Sequence, residues 1–220
     1  MLSHLQARKF YDRFGARQDW QRFYEGPAIR DLVAHGRFGE ASSVFEFGCG
    51  TGRLARILLE EDLPDTARYV GVDVSTTMVR LSRNNVAAFG KRAEIRQSDG
   101  QMVLDARSSA FDRFVSCYVL DLLTDQDISQ LLAEAQRVLV PGGLLCLLSL
   151  SPGCTPGSRL LAGLWTRLHA LSPMLVGGCR PLALRRCLEN GAWAIRHHRR
   201  IARFAFPSEI VIAETCGEPR

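Results

Sequence analysis

Lysine is nearly missing from this sequence. Its 220 residues include 28 Lys and Arg, of which only Lys9 and Lys91 are lysine, leaving 26 arginines. The net charge is only +5. That surplus is too small to demand a polyanionic partner by itself. Cysteine pairs at metal-ligand spacing are also missing. The seven cysteines, 49, 117, 146, 154, 179, 187 and 216, are odd in number and include no C-x-x-C. A closed disulfide framework and a zinc ribbon are therefore not expected, nor is any metal; the reading is reduced, mostly buried thiols. Long apolar runs are missing as well. The most apolar stretch, residues 138–150 (VLVPGGLLCLLSL), is interrupted by Pro141-Gly142-Gly143 and is too short to span a bilayer. The first fifteen residues, MLSHLQARKFYDRFG, hold no apolar core of signal-peptide length. A soluble, cytoplasmic protein without a membrane span is expected.

No internal repeat, low-complexity tract or linker divides the chain, so one domain over 1–220 is expected. Apolar residues make up 46% and charged residues 23%, which excludes a disordered or fibrous chain. A chain of this length buries about 70% of its unfolded surface and needs no covalent staple.

The pattern that is present is alternation. Helical stretches are read near 4–13 and 27–36. Short β-rich runs follow at Ser43–Phe47, Arg68–Val74, Ala93–Gln97, Phe111–Tyr118 and Leu144–Leu150. Helical patterns lie between them at Arg53–Glu61, Thr76–Phe89 and Asp125–Leu139, the last stopped by Pro141-Gly142-Gly143. The unbroken apolar run of Leu144–Leu150 suggests a strand buried on both faces. Strands alternating with helices imply βαβ units and a parallel sheet with helices on both faces. In the tail, Leu160–Leu171 and Pro181–Leu188 read as helices, and Trp193–His198 with Phe204–Ala213 as a closing pair of strands.

Chemistry concentrates at strand ends. Val44–Gly52, VFEFGCGTG, follows a strand and opens a helix. Glycines there permit a tight turn and close approach of backbone amides to a ligand. Gly48, Gly50 and Gly52 form G-x-G-x-G, whereas a dinucleotide fingerprint is G-x-G-x-x-G, and the third glycine of that pattern is here Arg53. Asp73 ends the second strand, where a carboxylate can accept from both hydroxyls of a ribose. Ser75 and Thr76 are better placed than Asp73 to cap the next helix. Asp99-Gly100 follows the third strand; Asp99 suits an exocyclic amine or a plain D-G turn equally well.

In this order the motifs resemble the class I S-adenosylmethionine-dependent methyltransferases, over roughly residues 40–150. The family's acidic residue and glycine loop match Glu46 and Gly48-Cys49-Gly50-Thr51-Gly52. Its two further acids match Asp73 and Asp99. Its fourth strand matches Phe111-Asp112-Arg113-Phe114-Val115, and its L-x-P-G-G-x-L turn matches Leu139–Leu145. Tyr11–Gly15 is similar to the small-molecule branch that includes quinone- and biotin-pathway enzymes. The resemblance implies a Rossmann-like α/β fold: a seven-stranded, mostly parallel sheet with one antiparallel strand. It implies a cofactor-binding core over 41–150, an N-terminal helical lid over 1–40 and substrate-side helices and closing strands over 151–220.

The resemblance also implies S-adenosyl-L-methionine as cofactor and a small molecule as acceptor. Gly48, Cys49, Gly50 and Gly52 would hold the methionine end, with Glu46 supporting the loop or the cofactor ammonium. Asp73 would hold ribose and Asp99 adenine, with Val74, Met78 and Gly100 along the adenine faces; Met78 is equally explained as core. Cys117 and Tyr118 would line the cofactor and acceptor. Tyr11, Trp20, Tyr24 and Arg180 are candidates for the acceptor side, and Tyr11, Tyr118, His35 and His169 are possible bases, with none singled out.

The chain has no [DN]-P-P-[FY] motif, no Pro-Cys nucleophile and no double-glutamate loop. These absences count against nucleic-acid and protein acceptors. Three rivals stay open. An RNA methyltransferase would use the basic run Arg196–Arg200. A nicotinamide-dependent oxidoreductase is opposed by Arg53. A cofactor-binding module without catalysis would keep the loop and Asp73.

Overall fold

The computed structural model describes residues 12, 22–189 and 193–216. Seven strands form one sheet in the order β3-β2-β1-β4-β5-β7-β6. They are β1 (Ser43–Phe47), β2 (Arg68–Asp73), β3 (Ala93–Gln97), β4 (Phe111–Cys117), β5 (Leu139–Leu150), β6 (Trp193–Arg203) and β7 (Phe206–Thr215). β1 to β5 pair in parallel, and β7 runs antiparallel to both β5 and β6. The expected seven-stranded sheet with one reversed strand is therefore present. Its order changes direction at β1, so the carboxyl ends of β1 and β4 diverge and open a crevice there.

Strand periodicity decides which residues face which layer. On β5, Leu144, Cys146 and Leu148 join the core under α1 (Arg22–His35), α2 (Arg53–Ile57) and α3 (Thr76–Val86). Leu145 and Leu147 point the other way, toward α4 (Asp125–Val138). Both faces of β5 are buried, as its unbroken apolar run required. The layer on the second face is fixed by Ile128, Leu131, Leu132 and Ala135 at helical spacing. α4 begins in a capping box in which Thr124 and Asp127 exchange hydrogen bonds.

Several boundaries differ from the sequence reading. The helix expected over Arg53–Glu61 is regular only to Ile57; Leu58–Asp62 forms a wider turn closed by Leu63 N–H on the Leu58 carbonyl at 2.7 Å. Pro64 disfavours helical backbone at Leu63, which is extended. Pro141-Gly142-Gly143 does not terminate α4. Leu139 is already extended and pairs with Phe111, and the Pro-Gly-Gly is a bulge before Arg113 pairs with Leu144. Only Leu184–Cys187 (α6) of the expected 181–188 helix is helical. The residues before it are drawn straight by Arg180 N–H on the Asp121 carbonyl and Leu182 N–H on the Leu150 carbonyl. α5 spans Pro156–Leu171. The stretch near 4–13 lies outside the described residues, Asp12 excepted.

Among the described residues, no helix is long and apolar enough to cross a membrane.

Candidate active site

The glycine loop leaves β1 with three left-handed backbones, φ 77° at Gly48, 53° at Gly50 and 77° at Gly52. Space reinforces conformation. A Cβ on Gly48 would sit 2.3 Å from Val119 Cγ2, and one on Gly52 would sit 2.3 Å from Ser82 Oγ. The loop is tied to its neighbour strand: Gly48 and Cys49 N–H groups donate to the Val72 carbonyl at 2.8 and 3.0 Å.

Asp73, at the tip of β2, completes the turn. One carboxylate oxygen accepts from Gly50 N–H at 2.9 Å and the other from Ser75 N–H at 2.8 Å. Burial pushes this carboxyl up, and the Ser75 and Gly50 donors pull it part of the way back. Ser75 caps α3, accepting from Met78 N–H at 3.2 Å. Its hydroxyl also donates to Asp12 at 2.6 Å, which brings one residue of the N-terminal segment beside Asp73.

Glu46 is buried, is absent from the cleft lining and accepts the hydroxyl of Tyr69 on β2. Burial lifts its carboxyl to about 8, with the charge of Asp73 adding to the effect. Asp99 is exposed, and one of its carboxylate oxygens holds Gln101 N–H at 2.9 Å, the turn arrangement.

These strand ends enclose a cleft of about 870 Å³, part of it open to solvent. Of the positions expected around the cofactor, Gly48, Gly50, Asp73, Val74, Met78, Gly100, Cys117 and Tyr118 line it, and Glu46, Cys49, Gly52 and Asp99 do not. Val119, next to Tyr118, belongs to the segment expected to line cofactor and acceptor, and Phe47, Val72 and Ser98 adjoin expected positions and were legible as flanks. The sequence reading missed Met102, and it missed Leu122, Leu123 and Asp127, which enter because the chain doubles back after β4. Tyr118 is the strained residue of the site, with φ 56°, a conformation that costs a non-glycine residue about 1–2 kcal/mol. Its backbone donates to the Leu148 carbonyl and its hydroxyl meets Ser208 Oγ at 2.8 Å, so strand and hydroxyl together hold the ring over the cleft.

The acceptor-side expectations fare differently. Tyr11 and Trp20 lie outside the described residues, as does the side chain of Tyr24. Arg180 is turned to the protein, on the Leu123 carbonyl at 3.2 Å and on Asp125.

Residues 44–143 match the family model described as a methyltransferase domain. Over those residues, just under half of its length, the chain is similar to methyltransferase domains, and it shares the fold of solved S-adenosylmethionine-dependent methyltransferases. The cleft lining fits that cofactor: a half-buried carboxylate, Asp73, beside a loop whose backbone is approachable because three glycines carry no Cβ, with apolar walls at Val74 and Met78.

The chain is 29% identical over 166 residues to a ubiquinone/menaquinone biosynthesis C-methyltransferase of Geobacter sulfurreducens, covering 75% of this chain and 59% of that one. It is 27% identical over 150 residues to the tRNA N(3)-methylcytidine methyltransferase Mettl2 of Drosophila melanogaster, covering 63% and 46%. The chain spans about half the length of the curated relatives it matches. Among solved structures, the [4+2]-cyclase SpnF superposes with a TM-score of 0.70 at 17% identity over 97% of each chain, a likeness of fold.

Proposed function

We propose that this protein transfers the methyl group of S-adenosylmethionine to a small-molecule acceptor. The observation that carries the methyl-transfer reading is the cleft at the strand ends, where Gly48, Gly50 and Asp73 meet apolar walls at Phe47, Val119, Leu122 and Leu123. The small-molecule acceptor is supported by the demethylmenaquinone and trans-aconitate methyltransferases to which the chain is similar. The bound cofactor would supply an activated methyl on sulfonium sulfur, so the protein's task is to position and desolvate.

In this assignment the loop at Gly48, Gly50 and Gly52 holds the methionine end. Asp73 holds ribose, and Asp99 reaches adenine through its second oxygen. Cys117, Tyr118 and Val119 wall the transfer position. Burial pushes the Cys117 thiol and the Tyr118 phenol well up, so both stay protonated and neither competes as nucleophile or base. The 1–40 segment would act as a lid; the Asp12–Ser75 bond, which places Asp12 beside Asp73, supports this.

An RNA acceptor fits less well. Each basic side chain of the 196–200 run is paired with an acid: Arg196 with Glu214, His197 and Arg199 with Asp31, His198 and Arg200 with Glu209. The three arginines of the run stand opposite three carboxylates, so this exposed edge carries little net positive charge for phosphates to read.

Calorimetric titration with S-adenosylmethionine should show one tight site, and no binding would sink the proposal. Release of S-adenosylhomocysteine with small phenols, quinols or carboxylic acids, but not with tRNA, supports the small-molecule reading. The reverse pattern assigns the RNA class, and turnover with nicotinamide cofactors would assign the oxidoreductase.

A further inference from the structure

We propose that Asp31, His35 and His197 form a binding site for a divalent transition-metal ion, zinc being the type. Among the described residues, these are the only three metal-ligating side chains whose donor atoms converge, all within 4.8 Å of one another. The sequence reading expected no metal because it looked for ligands at local spacing. This cluster joins residues 166 apart.

The geometry follows from two elements. Asp31 and His35 stand four apart on α1, so both project from one face of the helix. β6 is the edge strand of the sheet and brings His197 across to them. His197 Nε2 lies 2.7 Å from one Asp31 carboxylate oxygen, and His35 Nδ1 lies 3.9 Å from the other. The two imidazoles stack with centroids 3.7 Å apart.

Two imidazoles and one carboxylate are a donor set that zinc accepts, with a fourth position left to water. Ligand atoms about 2.0–2.1 Å from a tetrahedral ion lie roughly 3.3 Å from each other. His35 must therefore turn inward, giving up its Nδ1 bond to the Asp31 carbonyl at 2.9 Å and its stack on His197; its side chain, 45% exposed, leaves room for that rotation. The ion would take the place of the proton now shared by His197 and Asp31. The Asp31 side chain is 5% exposed and anchors the site, while His35 leaves its outer edge open to solvent.

One group competes. Arg199 Nη1 lies 2.7 Å from Asp31, and its 60% exposed side chain can swing into water when the ion arrives. A metal bound here ties α1 to the sheet edge independently of the cofactor cleft.

The test is zinc titration of the EDTA-stripped full chain by calorimetry, with a phosphine reductant to keep the thiols reduced. One zinc per chain is expected. His35→Ala and His197→Gln should each weaken binding by at least about tenfold, since even outer partners of a metal ligand are worth 10–100-fold. Arg199→Ala should bind as tightly or more tightly, because its competitor is gone. Cobalt should give a visible d–d band without thiolate charge transfer. Absence of binding, wild-type affinity in both histidine variants, or a thiolate band that puts the metal on cysteine overturns the proposal, as does lost binding in Arg199→Ala. Melting curves in EDTA show which variants are folded; should His197→Gln fail, the exposed His35 decides alone.

Discussion

Gly50 donates its backbone N–H to the Asp73 carboxylate at 2.9 Å, and that bond joins the glycine loop to the tip of the second strand. The group assigned to the cofactor ribose therefore also shapes the loop assigned to its methionine end. Asp73→Ala removes both functions. We expect S-adenosylmethionine affinity to fall at least about tenfold, and stability to fall by about 1–3 kcal/mol because two buried N–H groups lose their acceptor. Asp73→Asn keeps one acceptor and should recover much of the stability but little of the affinity. Calorimetry and urea unfolding separate the two; unchanged affinity in Asp73→Ala would refute the assignment.

Glu46 sets a pH dependence whose sign can be worked out. Its carboxyl rises from the ordinary 4.5 to about 8 in the folded protein, because burial disfavours the charged form. The folded state thus keeps a proton that the unfolded chain gives up. Stability falls as pH rises between about 4.5 and 8, by at most about 1.4 kcal/mol per pH unit for one proton. Asp121, pushed up to about 7 by burial, adds to the same slope. Glu46→Gln removes one of the two contributions. Its stability relative to wild type should grow from pH 5 to pH 8.5, measured by urea midpoints. Parallel profiles would show that Glu46 stays ionised.

The parts of this site legible in the sequence are those carried by backbone conformation and strand ends. Gly48, Gly50 and Gly52 announce positive φ, and Asp73 announces itself by ending an apolar strand. Leu122, Leu123 and Asp127 were not legible, because they reach the cleft only through the fold of the chain after Val119. The basic run was legible as an exposed strand. Its pairing with Asp31, Glu209 and Glu214 was not, because those acids come from α1 and β7. The Pro-Gly-Gly was visible, yet its role as a bulge depended on Leu139 pairing with Phe111, a long-range contact that outweighed the local signal.

Two glycines make a paired test of the loop. Gly52 has φ 77°, and an added Cβ would lie 2.8 Å from the Ser82 Cα, a backbone atom that cannot move aside cheaply. Gly90 has φ 56°, and a Cβ added there would meet nothing within 4 Å. Gly90 also has ψ −126°, a backbone that only glycine adopts readily, so Gly90→Ala should lower stability through conformation alone and leave cofactor affinity unchanged. Gly52→Ala, at φ 77° and ψ 17°, adds a steric clash and should lower cofactor affinity at least about tenfold as α2 is pushed off the loop. Unchanged cofactor affinity in a folded Gly52→Ala variant, measured by calorimetry, would mean that the loop yields freely.

The scarcity of lysine has a structural counterpart at Arg113. This side chain is buried, and its guanidinium donates to three backbone carbonyls: Gly36 at 2.8 Å, Arg37 at 2.7 Å and Asp112 at 2.9 Å. Gly36 and Arg37 follow the end of α1, so Arg113 fastens that helix terminus to the fourth strand. A planar fork with several fixed donors can serve three acceptors at once, and a lysine ammonium cannot reach them in the same geometry. Arg113→Met, which leaves the carbonyls unpaired, should destabilise by about 3 kcal/mol, and Arg113→Lys by about 1–2 kcal/mol. Arg107→Lys, on an exposed loop, should stay within about 0.5 kcal/mol of wild type. Because Arg113 is remote from the cleft lining, cofactor affinity should hold in the folded variants. If Arg113→Lys proves as silent as Arg107→Lys in urea unfolding, arginine is here by composition alone and the fork has no structural role.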